Sequence, residues 1–408
     1  MVGKPLVNVR VLEMGRMYAA PWAAMLMADM GAEVVKIESP GGGDMVRSID
    51  HGRMRDAAGN PGDSGRFAAI NRNKKSITVD ITSAEGQETI RRLAAKADVF
   101  IENYKVGDLA RRKLDYASIH AVNERIVYAS VTGFGQSGPY AHRPAIDPIA
   151  QAFSGYMAMN GEPGQPPQKT TFALMDFTTG MFAAFAVMTA LFHQRANGGP
   201  GQHIDIGMMD AAVSFMSYLL VPSLIEGKQP LRMGNRVLPG WAPGGLFRCS
   251  DGLIYVTIGN NLDLKRFFAL IDRPDLPEDP RFRTLADRAV HEAELNAIAQ
   301  AAFDGASMVE WVTRLGDAGI LAAAVYEFAD IPKDPQAIER DLIIRVPAVA
   351  GGPPIPTVRN PIRMSETPVE DYRPAPSLGH DTDEVLRTWL GTDTGELARL
   401  HDCGALGS

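Results

Sequence analysis

Apolar strand and helix patterns alternate through the first third of this chain, and that alternation restricts the fold more than any other feature. Val7 to Leu12 is rich in β-formers. Pro21 stands where a helix can begin, Ala23 to Met30 continues it and Gly31 stops it. Glu33-Val-Val-Lys-Ile-Glu38 has the alternation of a strand. Another strand is predicted at Ile77 to Ile81, followed by Thr82-x-x-Glu85, a capping-box pattern opening a helix to about Lys96. Asp98 to Glu102 and Ile126 to Val131 add two more strands. Strands that alternate with helices imply a parallel sheet covered on both faces, so an α/β fold is predicted.

Further along, an apolar helix is predicted from about Phe177 to His193, then a strand at His203 to Ile206 and a second apolar helix over Asp210 to Ile225. The character then changes. Asn235-Arg-Val-Leu-Pro-Gly-Trp-Ala-Pro-Gly-Gly245 is rich in Gly and Pro, and Ser250-Asp-Gly252 reads as a hairpin turn. Pro347, Pro353, Pro354 and Pro356 mark a linker, and a short helix is expected near Asp383 to Leu390. The expected organisation is a large domain over 1–225, a small domain over 226–335, and a linker with a C-terminal segment over 336–408.

Several function classes are disfavoured. The net charge is −7 with no basic stripe, so no nucleic-acid partner is expected. Cys249 and Cys403 are the only cysteines, without disulfide or zinc spacing, which suits a reducing cytoplasmic setting. Asn8 and Arg10 interrupt the N-terminal apolar run, unlike a signal peptide. Phe177 to Gln194 lacks charge but is short for a bilayer crossing, so a buried core helix is expected and no membrane partner. No Walker loop, HExxH or GxSxG occurs, and Met14-Gly-Arg-Met-Tyr-Ala-Ala-Pro21 is not a dinucleotide fingerprint. The chemistry must rest on ordinary side chains and a substrate brought in, with no permanently bound cofactor and no metal.

Asp176, in Ala173-Leu-Met-Asp-Phe-Thr-Thr-Gly180, carries two readings. It is an N-cap whose carboxylate accepts from the first helical amides, or a carboxylate nucleophile that the helix terminus keeps ionised. Gly180 would leave room for a bulky thioester. Asn71-Arg-Asn-Lys-Lys-Ser76 is a solvated strand entry or a phosphate clamp aided by Lys105 and Arg111. Ile101-Glu-Asn-Tyr-Lys-Val-Gly107 follows a strand's carboxyl end, where open α/β sheets bind ligands. Tyr104 there either packs or stacks on an adenine. Val131 to Pro139 is a Gly-rich loop, a weak signal alone. His51, His142, His203 and His380 show no metal-ligand spacing.

Taken in order, these segments resemble the class III coenzyme A transferase family, which also contains the α-methylacyl-CoA racemases. The similar stretches run from Val11-Leu-Glu13 and Ala20-Pro21 through Gly31 to Glu38, Asn71 to Asp80, Asp98 to Asn103 and Ala129 to Gly135. They continue through Asp176 to Gly180, Gly198-Gly-Pro-Gly-Gln202, Met209-Asp210, Leu378-Gly-His380 and Glu384-Val-Leu386. The resemblance implies a Rossmann-like large domain built from both chain ends, with residues 336–408 returning to it. It also implies a smaller α/β domain and an interlocked homodimer.

It further implies that Asp176 attacks an acyl-CoA, giving an aspartyl anhydride and then an aspartyl-CoA thioester, with coenzyme A thioester as substrate and a small carboxylic acid as acceptor. Tyr18, Ala19, Gly244 and Gly245 are the implied oxyanion donors. Lys75, Asn103, Tyr104 and Arg111, then Arg47 and Lys105, are the implied CoA contacts. Asp147 is a carboxylate that positions the acceptor or the anhydride, or else one that caps a loop. The family's oxalate-using branch has Gln where this chain has Tyr18, and a glycine run where it has Leu238 to Gly245. The basic residue that often follows Lys-Ile-Glu is here Ser39. Tyr18, Arg16, Trp241 and Arg236 are candidates to line the acyl site, an Arg there favouring dicarboxylates. The racemase branch has a His before its Asp where this chain has Ile146, and isoleucine performs no acid–base work, so transferase is preferred to racemase.

Overall fold

A computed structural model describes residues 3–49, 52–348 and 351–407. His51 lies outside the described residues. Contacts divide the chain into two units: 1–156, 169–227 and 339–408 form the first, 157–168 and 228–338 the second. The small contribution of 157–168 to the second unit carries no sequence signal.

The first unit is built on a six-stranded, wholly parallel sheet. Its strands are β1 (Arg10–Met14), β2 (Glu33–Glu38), β3 (Lys75–Thr78), β4 (Val99–Glu102), β5 (Val127–Thr132) and β6 (Gln202–Gly207). Their order is β3-β2-β1-β4-β5-β6, with every neighbouring pair parallel. This doubly wound order reverses between β1 and β4, the position at which open α/β sheets bind ligands at their carboxyl ends.

Strand alternation explains the two cores. Val11, Val34, Val99 and Val127 face one side, packed by α1 (Ala19–Asp29) and by a later, longer helix. Leu12, Val35, Phe100 and Tyr128 face the other, against Ile90 and Leu93 of α2 (Ala84–Ala94). Val385, Leu386, Trp389, Leu397 and Leu400 from the end of the chain close that second face.

Several boundaries differ from the sequence reading. Ser83, not Thr82, caps α2, accepting from the Gly86 amide at 3.0 Å; Thr82 is held in the preceding turn by Asp80. The longer helices further along this unit are α3 (Asp147–Phe153), α4 (Leu174–Asn197), α5 (Met208–Phe215) and α6 (Ser217–Glu226). The single helix expected over Asp210 to Ile225 is two, bent by 72° between α5 and α6. The expected helix at Phe177 begins a turn earlier, at Leu174, and this moves Asp176 from the cap into the helix. By length and composition α4 could cross a membrane; its small residues pack on α1, while Phe185 and Phe192 are exposed.

The second unit holds a three-stranded antiparallel sheet of Gly245–Cys249, Gly252–Thr257 and Leu321–Ala324, the first two joined at the expected turn. Phe247, Ile254, Phe267, Phe303 and Trp311 fill its own core.

Candidate active site

The starts of α1 and α4 meet because Gly180 has no side chain. A Cβ there would lie 2.5 Å from the Ala19 carbonyl oxygen and 3.1 Å from Trp22. Phe177, one residue past Asp176, is seated against this junction. Its ring lies 4.9 Å from Trp22, edge to face, and 6.0 Å from Tyr18. Asp176 and the first turn of α1 are therefore held in one neighbourhood at the carboxyl edge of the sheet.

Asp176 is not the helix cap. That role belongs to Asp147, whose Oδ2 accepts from the main-chain amides of Met175 at 2.6 Å and Asp176 at 3.3 Å. The cap position itself is Ala173, which has no side chain to offer. Among the described residues the Asp176 carboxylate accepts no hydrogen bond. The expectation that Asp176 is the N-cap of this helix is corrected accordingly. Burial, with the Asp147 charge adding to it, pushes the Asp176 carboxyl up to about 7.

The first turn of α1 offers donors. Neither Tyr18 nor a preceding side chain caps it, and the amides of Tyr18 and Ala19 meet no acceptor among the described residues. The loop before it is firmly held. Asn103 closes a two-point clamp on Arg16, its Oδ1 accepting from the Arg16 amide at 2.8 Å and its Nδ2 donating to the Arg16 carbonyl at 2.7 Å. Asp44 accepts from the Met17 amide at 3.2 Å, and Met17 takes a left-handed φ of 61°.

Beneath that loop lies a charge network that sequence reasoning missed. Lys36 donates to Glu13 at 2.8 Å and to the Gly15 carbonyl at 2.7 Å, and pairs with Asp44 at 3.1 Å. Lys74 reaches the other Glu13 oxygen at 2.7 Å and the Pro21 carbonyl at 2.8 Å. Burial opposes the Lys36 charge, but Glu13, Asp44 and Glu38 together outweigh it and hold it above the ordinary range. Lys74 has fewer counter-charges and faces Lys36, so burial prevails and lowers it to about 8. The available signal was Glu13, Lys36 and Glu38 inside otherwise apolar strands.

The expected CoA residues divide. Tyr104, Lys105 and Arg111 follow β4 at the carboxyl edge. Lys105 is exposed, Arg111 is 69 % exposed and pairs with Asp108, and the Arg16 guanidinium covers the Tyr104 ring at 4.7 Å. Asn103 is there too, but its side-chain amide is engaged with Arg16. Lys75 is corrected: it opens β3 at the opposite, amino edge of the sheet, bound to Glu33 at 2.9 Å and Glu384 at 3.0 Å. Strand direction separates it from Tyr104. Arg47 is corrected as well. It is 4 % exposed, and four of its five N–H groups are taken by Glu38, Asp63 and the Pro376 carbonyl.

In the second unit, the Gly244 amide donates to Asn296 at 3.1 Å, so it is not a free oxyanion donor in this structure, and Gly245 pairs with Val256 of the neighbouring strand. Arg236 approaches Glu292 at 3.6 Å, and Trp241 packs over Gly259. His203 bonds Ser130 at 3.0 Å, and His380 bonds Asp381 at 2.9 Å. Among the described residues no group of His, Cys, Asp or Glu is arranged to hold a metal.

A doubly wound parallel sheet without the glycine fingerprint after β1 is an α/β enzyme fold without the usual dinucleotide site. Residues 6–382 match the model of CoA-transferase family III, and the chain belongs to that family. It is 35 % identical to the succinate–glutarate CoA-transferase of Agrobacterium fabrum over 94 % of this chain and 95 % of that protein. It is 33 % identical to the succinyl-CoA–D-citramalate CoA-transferase of Chloroflexus aurantiacus over 98 % of this chain and 97 % of the relative. The crystal structure of a CaiB/BaiF family protein from Brucella suis superposes with a TM-score of 0.87 at 34 % identity, covering 95 % of this chain and 99 % of that one. The resemblance read from the sequence is thus upheld: the chain is an enzyme that transfers CoA between an acyl-CoA and a carboxylic acid.

Proposed function

We propose that Asp176 carries the transfer covalently and that the acids exchanged are small dicarboxylates. The observation that carries the first part is the Asp176 carboxylate: half-buried, accepting no hydrogen bond among the described residues, and one turn of α4 before Gly180, which abuts the Ala19 carbonyl at the start of α1, where the Tyr18 and Ala19 amides are unpartnered. In this reading a carboxylate oxygen of Asp176 attacks the thioester carbon of the donor, and the C–S bond breaks to release CoA thiolate. The thiolate attacks the aspartyl carbonyl of the mixed anhydride, freeing the donor acid and leaving an aspartyl-CoA thioester. The acceptor carboxylate displaces thiolate from that thioester, and the thiolate then takes the acceptor acyl group, restoring Asp176. The Tyr18 and Ala19 amides stabilise the oxyanion of each tetrahedral species.

Tyr104, Lys105 and Arg111 are the proposed contacts for the nucleotide end of CoA, with Asn103 fixing the loop they border. Dicarboxylate use is supported by the names of the two relatives. A homodimer is proposed from the exposed aromatic face of α4, Phe182, Phe185 and Phe192, with Leu224 and Ile225 of α6 exposed as well. A reducing cytoplasmic compartment is proposed from the two free cysteines.

Intact-protein mass spectrometry with a panel of acyl-CoAs tests the reading. A hydroxylamine-sensitive adduct on the wild type that is absent from Asp176→Ala supports it. No adduct with any donor, together with α-proton exchange in deuterated water, would replace it with the racemase reading.

A further inference from the structure

We propose that Asp147 is a positioning residue for the nucleophile: it occupies the two main-chain amides at the start of α4, so that Asp176 keeps its oxygen lone pairs for the acyl carbon. The inference rests on the covalent role proposed for Asp176.

An aspartate in the first turn of a helix can turn back onto the amides exposed there, and the two nearest it here, of Met175 and of Asp176 itself, are already taken. Nothing on α4 itself takes them, since Ala173 at the cap has no acceptor. The acceptor comes from 28 residues upstream in the chain. Asp147 Oδ2 lies 2.6 Å from the Met175 nitrogen and 3.3 Å from the Asp176 nitrogen. Its Oδ1 accepts from the Gln151 side-chain amide, one turn along α3. Gln151 is itself fixed, accepting from the Thr170 amide at 2.9 Å and donating to the Thr170 hydroxyl at 3.1 Å. Asp147 is 6 % exposed and Gln151 fully buried. A side chain so enclosed and so fully bonded does not reach substrate, which distinguishes this role from the acceptor-positioning one read from the sequence.

The arrangement has an electrostatic consequence. Two carboxylates meet at one helix start, and among the described residues neither is paired with a cation. Tyr156 is close enough to feel the charge of Asp147, and also that of Tyr218. Asp176 is thereby both stripped of donors and raised in proton affinity, and each strengthens a carboxylate nucleophile once it is ionised.

The test uses the full-length enzyme, succinyl-CoA as probe and rapid-quench mass spectrometry of the hydroxylamine-sensitive adduct. Asp147→Ala frees both amides, and Asp176 folds back onto them. Adduct formation is expected to fall by about a hundredfold, the scale of a small misplacement of a reacting group, while the Kd for free CoA stays within about threefold. Asp147→Asn keeps the accepting oxygen and removes the charge. It is expected to form the adduct while moving the acid limb of kcat/KM down by about one pH unit, a shift that a purely structural role would not produce. Wild-type adduct rates in Asp147→Ala, or an unmoved acid limb in Asp147→Asn, would overturn the inference. Should Asp147→Ala not fold, the Asp147→Asn limb decides. Absence of an adduct on the wild type would defeat the covalent reading and this inference with it, whereas a wild-type adduct with unaffected Asp147 variants defeats this inference alone.

Discussion

Lys36 and Glu13 form an ion pair of 2.8 Å between two neighbouring strands, with neither side chain exposed to solvent. Glu13 is shared with Lys74 at 2.7 Å, so one carboxylate bridges two buried ammonium groups beneath the loop that leads into α1, with Asp44 as a further partner of Lys36. Glu13→Ala leaves both without their common partner. A loss of about 3–5 kcal/mol is expected, as for breaking any buried pair from one side. Urea unfolding of the variant at pH 7 checks it, and a loss below about 1 kcal/mol would show the network to be dispensable.

Gly180 permits the contact that brings Asp176 to the first turn of α1, since a Cβ would sit 2.5 Å from a backbone oxygen that cannot rotate away. Gly180→Val is expected to force α1 and α4 apart, costing about 1–3 kcal/mol. It is also expected to suppress the Asp176 adduct in mass spectrometry while CoA binding persists. Full adduct formation in a folded Gly180→Val enzyme would mean that the two helix starts do not act together.

The raised carboxyl of Asp176 makes a signed prediction about stability. The native state keeps a proton that the unfolded chain has released, across the interval from 3.8 to about 7. Stability therefore falls as pH rises through that interval, and the cost is fully present above 7. Asp176→Asn removes the cost, so it is expected to be more stable than wild type at pH 8, by on the order of 1–2 kcal/mol, and nearly equal at pH 4. Thermal melts at the two pH values distinguish this from a pH-independent packing change.

Arg111 projects from the loop after β4 with most of its guanidinium in solvent and one carboxylate partner, Asp108. Arg111→Ala is expected to raise KM for acyl-CoA about tenfold with kcat within about twofold, the mark of binding lost equally in ground and transition states. Lys75→Ala and Arg47→Lys serve as contrasts. Both residues are already paired with carboxylates, and their loss is expected to appear in melting temperature rather than in KM. A tenfold KM effect from Lys75→Ala would contradict the placement of that residue at the amino edge.

The sequence by itself determined the α/β class, the strands β1, β2, β4 and β5 with the helices α1 and α2, the family, and Asp176 as the residue to examine. These are carried by local periodicity and by an ordered series of short motifs, each readable within its own segment. Tertiary structure alone decided which end of the sheet each charge occupies: Lys75 at the amino edge, Tyr104 and Arg111 at the carboxyl edge. It also decided that Lys36 and Arg47 are spent on buried carboxylates, and that the helix cap of α4 is Asp147 rather than Asp176. Those assignments depend on partners distant in the chain, and a charged side chain in a strand looks the same in sequence whether it faces solvent, a ligand or a buried counter-charge. Only the packed fold determines which of the three it meets.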